Sequence, residues 1–131
     1  MENEKRKQTQ EFKSRIYHFV IKLIEFIDNL PRDNVSRRVG DQLLRSGTSV
    51  LGNYVEGQSA SSKKELANFF AYSLKSSNES RLWLCILRDS KRVLPQSIEW
   101  FLNELEEFSK IFASSIMTIK RNRKQHIPLQ K

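Results

Sequence analysis

From Thr9 to Asn29, and on to Leu30, apolar side chains recur every three or four residues, at Phe12, Ile16, Phe19, Val20, Leu23, Phe26, Ile27 and Leu30. That spacing gathers them on one face of an α-helix, where a strand would need a period of two. The predicted helix, about 9–29, stops at Pro31, which lacks a backbone donor and pushes Leu30 out of the α region. A second helix is expected over about 35–56, with Val39, Leu43, Leu44, Val50, Leu51, Tyr54 and Val55 on a broad arc. Beside that arc Gln42, Ser46, Ser49, Asn53 and Glu56 alternate in steps of four and three, a strip of small or polar residues suited to close backbone approach. Gly47 and Gly52 each cost about 1 kcal/mol against Ala in a helix, so a neighbour needing the missing volume is expected at both. Gly57 suits a helix C-cap.

A third helix is predicted over about 62–93, opened by Ser62 and Glu65 at capping-box spacing. Leu66, Phe69, Phe70, Ser73, Leu74 and Ser77 give its first half one face, but the run Leu82 to Leu87 is apolar on every side. A helix in a lone bundle has one stripe to bury, so Leu82, Trp83 and Ile86 are expected to meet another subunit. Pro95 fits the first turn of a fourth helix, about 95–121, cored by Ile98, Phe101, Leu102, Leu105, Phe112, Ile116 and Ile119. Trp100 and Ile111 lie off that stripe and are assigned to the same subunit contact. Gly and Pro number four and three, too few for the many turns of a sandwich or barrel. The expected fold is all-α: a single antiparallel up-down-up-down four-helix bundle over 1–131, with basic tails at both ends.

The N-terminus has no apolar signal-like segment, and no apolar run approaches the roughly 18 residues that span a bilayer. A membrane is not an expected partner. The single cysteine, Cys85, has no internal disulfide partner, in keeping with a reducing, cytoplasmic setting. Lys and Arg number 23 against 15 Asp and Glu, a net charge of +8 that attracts polyanions. Lys5, Arg6 and Lys7 precede the first predicted helix, and Lys120, Arg121, Arg123 and Lys124 close the last. An up-down-up-down bundle carries both clusters to one end, where they would hold RNA or DNA phosphates in a salt-sensitive, sequence-independent way. Solvated termini that merely aid solubility are the alternative reading.

Catalytic patterns are not found. His18 and His126 stand apart from any second metal ligand, and the Glu-x-x-His pairs of di-iron bundles are missing, so no metal or cofactor is expected. Cys85 sits in the apolar run as a small hydrophobe. Gly47 to Tyr54 has the glycine spacing of a phosphate loop, but Asn53 and Tyr54 replace its Lys and Ser or Thr. Glu56 and Glu79 are conceivable as an acid/base pair, but a structural role is the stronger reading, with Glu56 pairing to Arg45, Arg81 or a backbone amide. The chain is read as a non-enzyme.

Arg45-Ser46-Gly47-Thr48-Ser49-Val50, followed by Asn53-Tyr54-Val55-Glu56-Gly57, resembles the signature of the bacterial four-helix bundle family named for 23S ribosomal RNA intervening sequences. Leu30-Pro31, Gln42-Leu43, Lys64-Glu65-Leu66, Phe69, Tyr72-Ser73-Leu74 and Asn78-Glu79-Ser80-Arg81-Leu82-Trp83-Leu84 extend the resemblance over nearly the full chain. Ser73 and Ser77 stand where many relatives are expected to carry alanine. The resemblance implies a bundle that assembles with itself into a ring, a pentamer. The chain is also similar to the accessory protein of diversity-generating retroelements, which implies nucleic-acid binding and a reverse transcriptase as a possible protein partner. A scaffold that binds only other proteins is the rival function.

Overall fold

The computed structural model of the chain describes the backbone of residues 2–126 and the side chains of residues 3–122. It consists of helices α1 (Glu2–Asp28), α2 (Asn34–Gln58), α3 (Lys63–Asp89) and α4 (Pro95–His126), with no strand among the described residues. None of these helices is long and apolar enough to cross a membrane.

Helix α1 starts well before Thr9, because Glu, Lys, Arg and Gln between positions 2 and 8 are good helix formers that need no apolar partner to extend a turn already nucleated. The same reasoning carries α4 past residue 121 to His126. Helix α2 is capped by Asp33, whose carboxylate accepts the Ser36 amide at 2.9 Å and the Ser36 hydroxyl at 2.7 Å. Helix α3 is capped by Ser62, which accepts from the Glu65 amide at 3.1 Å, while the Glu65 carboxylate reaches back to the Ser61 hydroxyl at 2.8 Å.

Two further helix ends differ from their sequence reading. Helix α3 stops at Asp89, not near Val93: Lys91 adopts φ 63°, its amide donates to the Arg88 carbonyl at 2.9 Å, and the Arg92 amide donates to the Leu87 carbonyl at 2.9 Å. Those paired bonds are the Schellman stop, here with a lysine in the left-handed position that glycine usually takes. Gly57 is not a C-cap; α2 runs past it and is capped by Ser59. Its missing side chain matters for volume, since a Cβ there would meet Phe69 Cβ at 3.2 Å and Phe70 Cε1 at 3.3 Å.

The helices meet in reversed order along each pair. Between α1 and α2, Leu23 packs on Gly47 and Leu30 on Gly40; between α2 and α3, Ser46 meets Ser80 and Tyr54 meets Phe70; between α3 and α4, Phe70 meets Phe112 and Asn78 meets Ser109. Across α1 and α4, Phe12 packs on Phe112, Phe19 on Phe108 and Phe26 on Phe101. The two kinds of seam are physically opposite. Ser46, Ser73, Ser77 and Ser80 are fully buried between α2 and α3, where small side chains let the backbones close, and the Ser73 hydroxyl donates to the Val50 carbonyl at 3.0 Å. Helices α1 and α4 scarcely touch through their backbones; phenylalanine rings 5.2 to 5.7 Å apart fill the space. Arg15 clasps that seam with two bonds to Glu104, at 3.0 and 2.7 Å, which raise the guanidinium pKa.

Gly47 behaves as its sequence suggests: a Cβ there would collide with the buried Leu23 side chain. Gly52 does not. A Cβ at Gly52 would meet nothing within 4 Å, so no neighbour among the described residues needs the space.

Candidate functional site

The signature residues divide into two groups. Ser46 is in the α2–α3 seam, hydroxyl to hydroxyl with Ser80 at 2.7 Å. Ser49 and Asn53 instead bond back along their own helix, to the carbonyls of Arg45 at 2.8 Å and Ser49 at 3.0 Å. Outside the seam, Arg45 donates to Gln42 Oε1 at 2.9 Å and pairs with Glu79, which also accepts the Trp83 indole N–H at 2.9 Å. The indole hydrogen bond first, and then Arg45, hold the Glu79 carboxyl below its ordinary value against the opposing effect of burial. A carboxylate so held braces α2 to α3 and is a poor proton donor. Of the three partners expected for Glu56, namely Arg45, Arg81 or a backbone amide, Arg45 turns to Glu79 instead. Glu56 is exposed eleven residues further along α2, roughly 16 Å by helix rise, so it makes no acid/base pair with Glu79.

One open cleft of about 640 Å³ lies at the end of the bundle, and of the two basic clusters Lys5 lines it. Lys5 and Gln8 from α1, Gln58 from α2, Lys63 from α3, and Thr118 and Ile119 from α4 all line it. Lys5, Arg6 and Lys7 are exposed on successive positions of α1, and Lys120 and Arg121 are exposed on the turn that follows Ile119. The side chains of Arg123 and Lys124 lie outside the described residues. Lys63 was not singled out from sequence, where it reads only as a helix start; only the fold carries it to the cleft. Among the described lining residues there is no Asp or Glu.

The five residues assigned to a subunit contact are not gathered on one face. Leu82 is 54% exposed, whereas Trp83 and Ile86 are half-buried against the core, and Trp83 is tied to Glu79 on the α2 side. Trp100 is 42% exposed but packs against α1, with its ring 5.9 Å from His18 and 6.1 Å from Phe19. Ile111 lines the basic cleft. A different apolar surface stands out. Tyr17, Ile21 and Ile24 form an exposed stripe on α1, and Leu44 and Val55, with half-buried Leu51 between them, form another on α2. Wound at about 100° per residue, the first stripe falls on the flank of α1 beyond Leu23 and Ile27, which touch α2. The second falls beside Gly40 and Gly47, which touch α1, so the two stripes border the same crevice. A second period of three and four within each helix is the sequence signal for it.

No group of His, Cys, Asp and Glu among the described residues is arranged to hold a metal. Cys85 is half-buried.

Residues 8–114 match the model of the 23S rRNA-intervening sequence protein family. Among solved structures, the chain is similar to a protein of unknown function from the S23 ribosomal protein family of Bacteroides thetaiotaomicron VPI-5482. The TM-score is 0.77 and the identity 26%, over 83% of this chain and 97% of that one. No curated protein matches the chain. With most of its length matched by that family, and with the Arg45–Glu79 brace and the serine seam built from the signature residues, the chain belongs to the 23S rRNA-intervening sequence protein family.

Proposed function

We propose that this chain is a non-enzymatic accessory protein of the bacterial cytoplasm that assembles with copies of itself, as a ring of five, and binds RNA or DNA through its basic end. The observation that carries the reading is the meeting of Lys5 and Lys63, from different helices, at one cleft that has no acidic residue among its described lining, with Lys120 and Arg121 exposed on the turn after the lining residue Ile119. Charges from α1 and α3 act together there, and a ring would repeat the patch, turning weak phosphate contacts into avidity. The exposed apolar crevice between α1 and α2, and the bare backbone at Gly52, supply surface for copies to meet. The family name points to ribosomal RNA as the first nucleic acid to test.

Electrophoretic titration with structured RNA at 50 and 200 mM salt, run as about those two conditions, is the test. Affinity should fall steeply with salt, and Lys120→Glu with Arg121→Glu should weaken binding of every sequence alike. No binding at low salt, or binding indifferent to salt, defeats the reading.

The apolar crevice also favours a second reading, a scaffold that recruits another polypeptide, such as a reverse transcriptase, without touching nucleic acid. Tyr17, at 57% exposure, would be its central contact. A monomeric mass in solution together with a partner retained after nuclease treatment would select it.

A further inference from the structure

We infer that the cleft at the basic end receives an unpaired nucleotide, its base turned inward over the aromatic floor and its phosphate held between Lys5 and Lys63. This rests on the nucleic-acid reading and adds to it a specific part of the ligand.

The floor is aromatic. Tyr54 and Phe70 are buried and stacked on each other with ring centroids 5.6 Å apart, reaching the cleft by their edges, and Phe12 stands edge-on to Tyr54 at 5.1 Å. Phe12 is the half-buried member of this group, the ring from which a base would gain most contact. Cations interleaved with aromatic rings are what single-stranded nucleic acid uses, because every base has a flat apolar face and every linkage a charge. The rim supplies both Lys5 and Lys63 from different helices, and among the described lining residues there is no carboxylate to oppose an anion.

The walls select among amphipathic anions. Gln8, Gln58, Ser114 and Thr118 place amides and hydroxyls around the apolar floor. An acyl chain lying there would strip water from those groups and return no hydrogen bond, a cost a nucleobase edge avoids by offering donors and acceptors. The Tyr54 hydroxyl makes only a long bond, 3.4 Å, to the Thr9 carbonyl, so it can turn to a ligand. Burial raises its pKa, which keeps it a donor at neutral pH. A volume of about 640 Å³ lies within the usual range for small-ligand sites and is far too small for paired bases with both backbones. An intact duplex would use the lysines and leave the floor empty.

The experiment compares one hairpin, blunt or with a three-nucleotide overhang ending in 2-aminopurine, prepared once as RNA and once as DNA and titrated with the full chain. The overhang should bind about tenfold more tightly than the blunt form, with a change in 2-aminopurine emission. Thr118→Trp, at an exposed position on the cleft wall, should abolish the preference while blunt binding persists. Should that variant lose helicity, Ser114→Trp, at another exposed position on the cleft wall, is read in its place and should abolish the preference in the same way. Equal affinity for both hairpins, with unchanged emission, overturns the inference and leaves the wider reading intact. Loss of all binding defeats both. Uptake of a fluorescent fatty acid with no overhang preference assigns the cleft to an amphiphile and overturns the nucleotide.

Discussion

The hydroxyls of Ser46 and Ser80 meet 2.7 Å apart between α2 and α3, and neither residue is exposed at all. Ser80 donates to the Ser76 carbonyl at 2.9 Å, so the Ser46 hydroxyl is the donor of the pair, with the Leu43 carbonyl at 3.3 Å as its other acceptor. Two helices can bring serine hydroxyls together in this way only where their backbones lie close. Ser80→Ala should therefore cost about 1 kcal/mol, the worth of one hydrogen bond whose partner retains another acceptor. Ser80→Leu should cost at least about 3 kcal/mol, since the seam has no room for the added volume. Urea denaturation measures both, and a leucine variant with a wild-type midpoint would contradict the close seam.

The glycines of α2 predict opposite outcomes for one substitution. Gly47→Ala drives a methyl group into Leu23, which is itself fully buried, and should destabilise the fold by about 1–3 kcal/mol. Leu23→Val in the same chain should recover part of that loss, a coupling read from a double-mutant cycle. Gly52→Ala meets open space within the chain and should stabilise it by about 1 kcal/mol through helix propensity. If copies meet at this bare stretch of α2, the same change lowers the solution mass at a fixed concentration, as sedimentation would report.

Lys91 holds a left-handed conformation, φ 63°, at the stop of α3. That costs a lysine roughly 1 kcal/mol and glycine almost nothing. Lys91→Gly should raise the melting temperature by several degrees without altering the helical circular dichroism. A lower melting temperature would mean that the lysine side chain contributes more than its backbone loses.

Asp33 ties the start of α2 to the end of α3. Its carboxylate accepts from Ser36 and lies 3.5 Å from the Arg92 guanidinium. The backbone bond from Ser36, its hydroxyl bond, and Arg92 together lower its pKa from 3.8 to about 2. Because the folded value is the lower one, the stabilisation is fully present above the unfolded pKa near 3.8 and is lost as pH falls toward about 2. The melting temperature should drop across that window, and Asp33→Asn should flatten the drop while preserving the cap acceptor. An unchanged acid profile in the variant would show that Asp33 titrates as it does in the unfolded chain.

Much of this molecule is fixed by local order in the chain. The period of apolar residues from Phe12 to Leu30 sets α1 and its core face, Pro31 sets where it ends, and the Ser62–Glu65 spacing opens α3. These depend on neighbours within one or two turns, which a linear string contains. Placing Lys5, Lys63 and Ile119 around a cleft, turning Arg45 to Glu79 instead of Glu56, and leaving Gly52 bare while Gly47 is filled were decided by the tertiary structure. The physical reason is that periodicity gives the direction of a side chain about its own axis, but not the rotation and offset of the next helix. Those follow from packing the whole bundle at once, serines drawing α2 onto α3 while phenylalanines hold α1 away from α4.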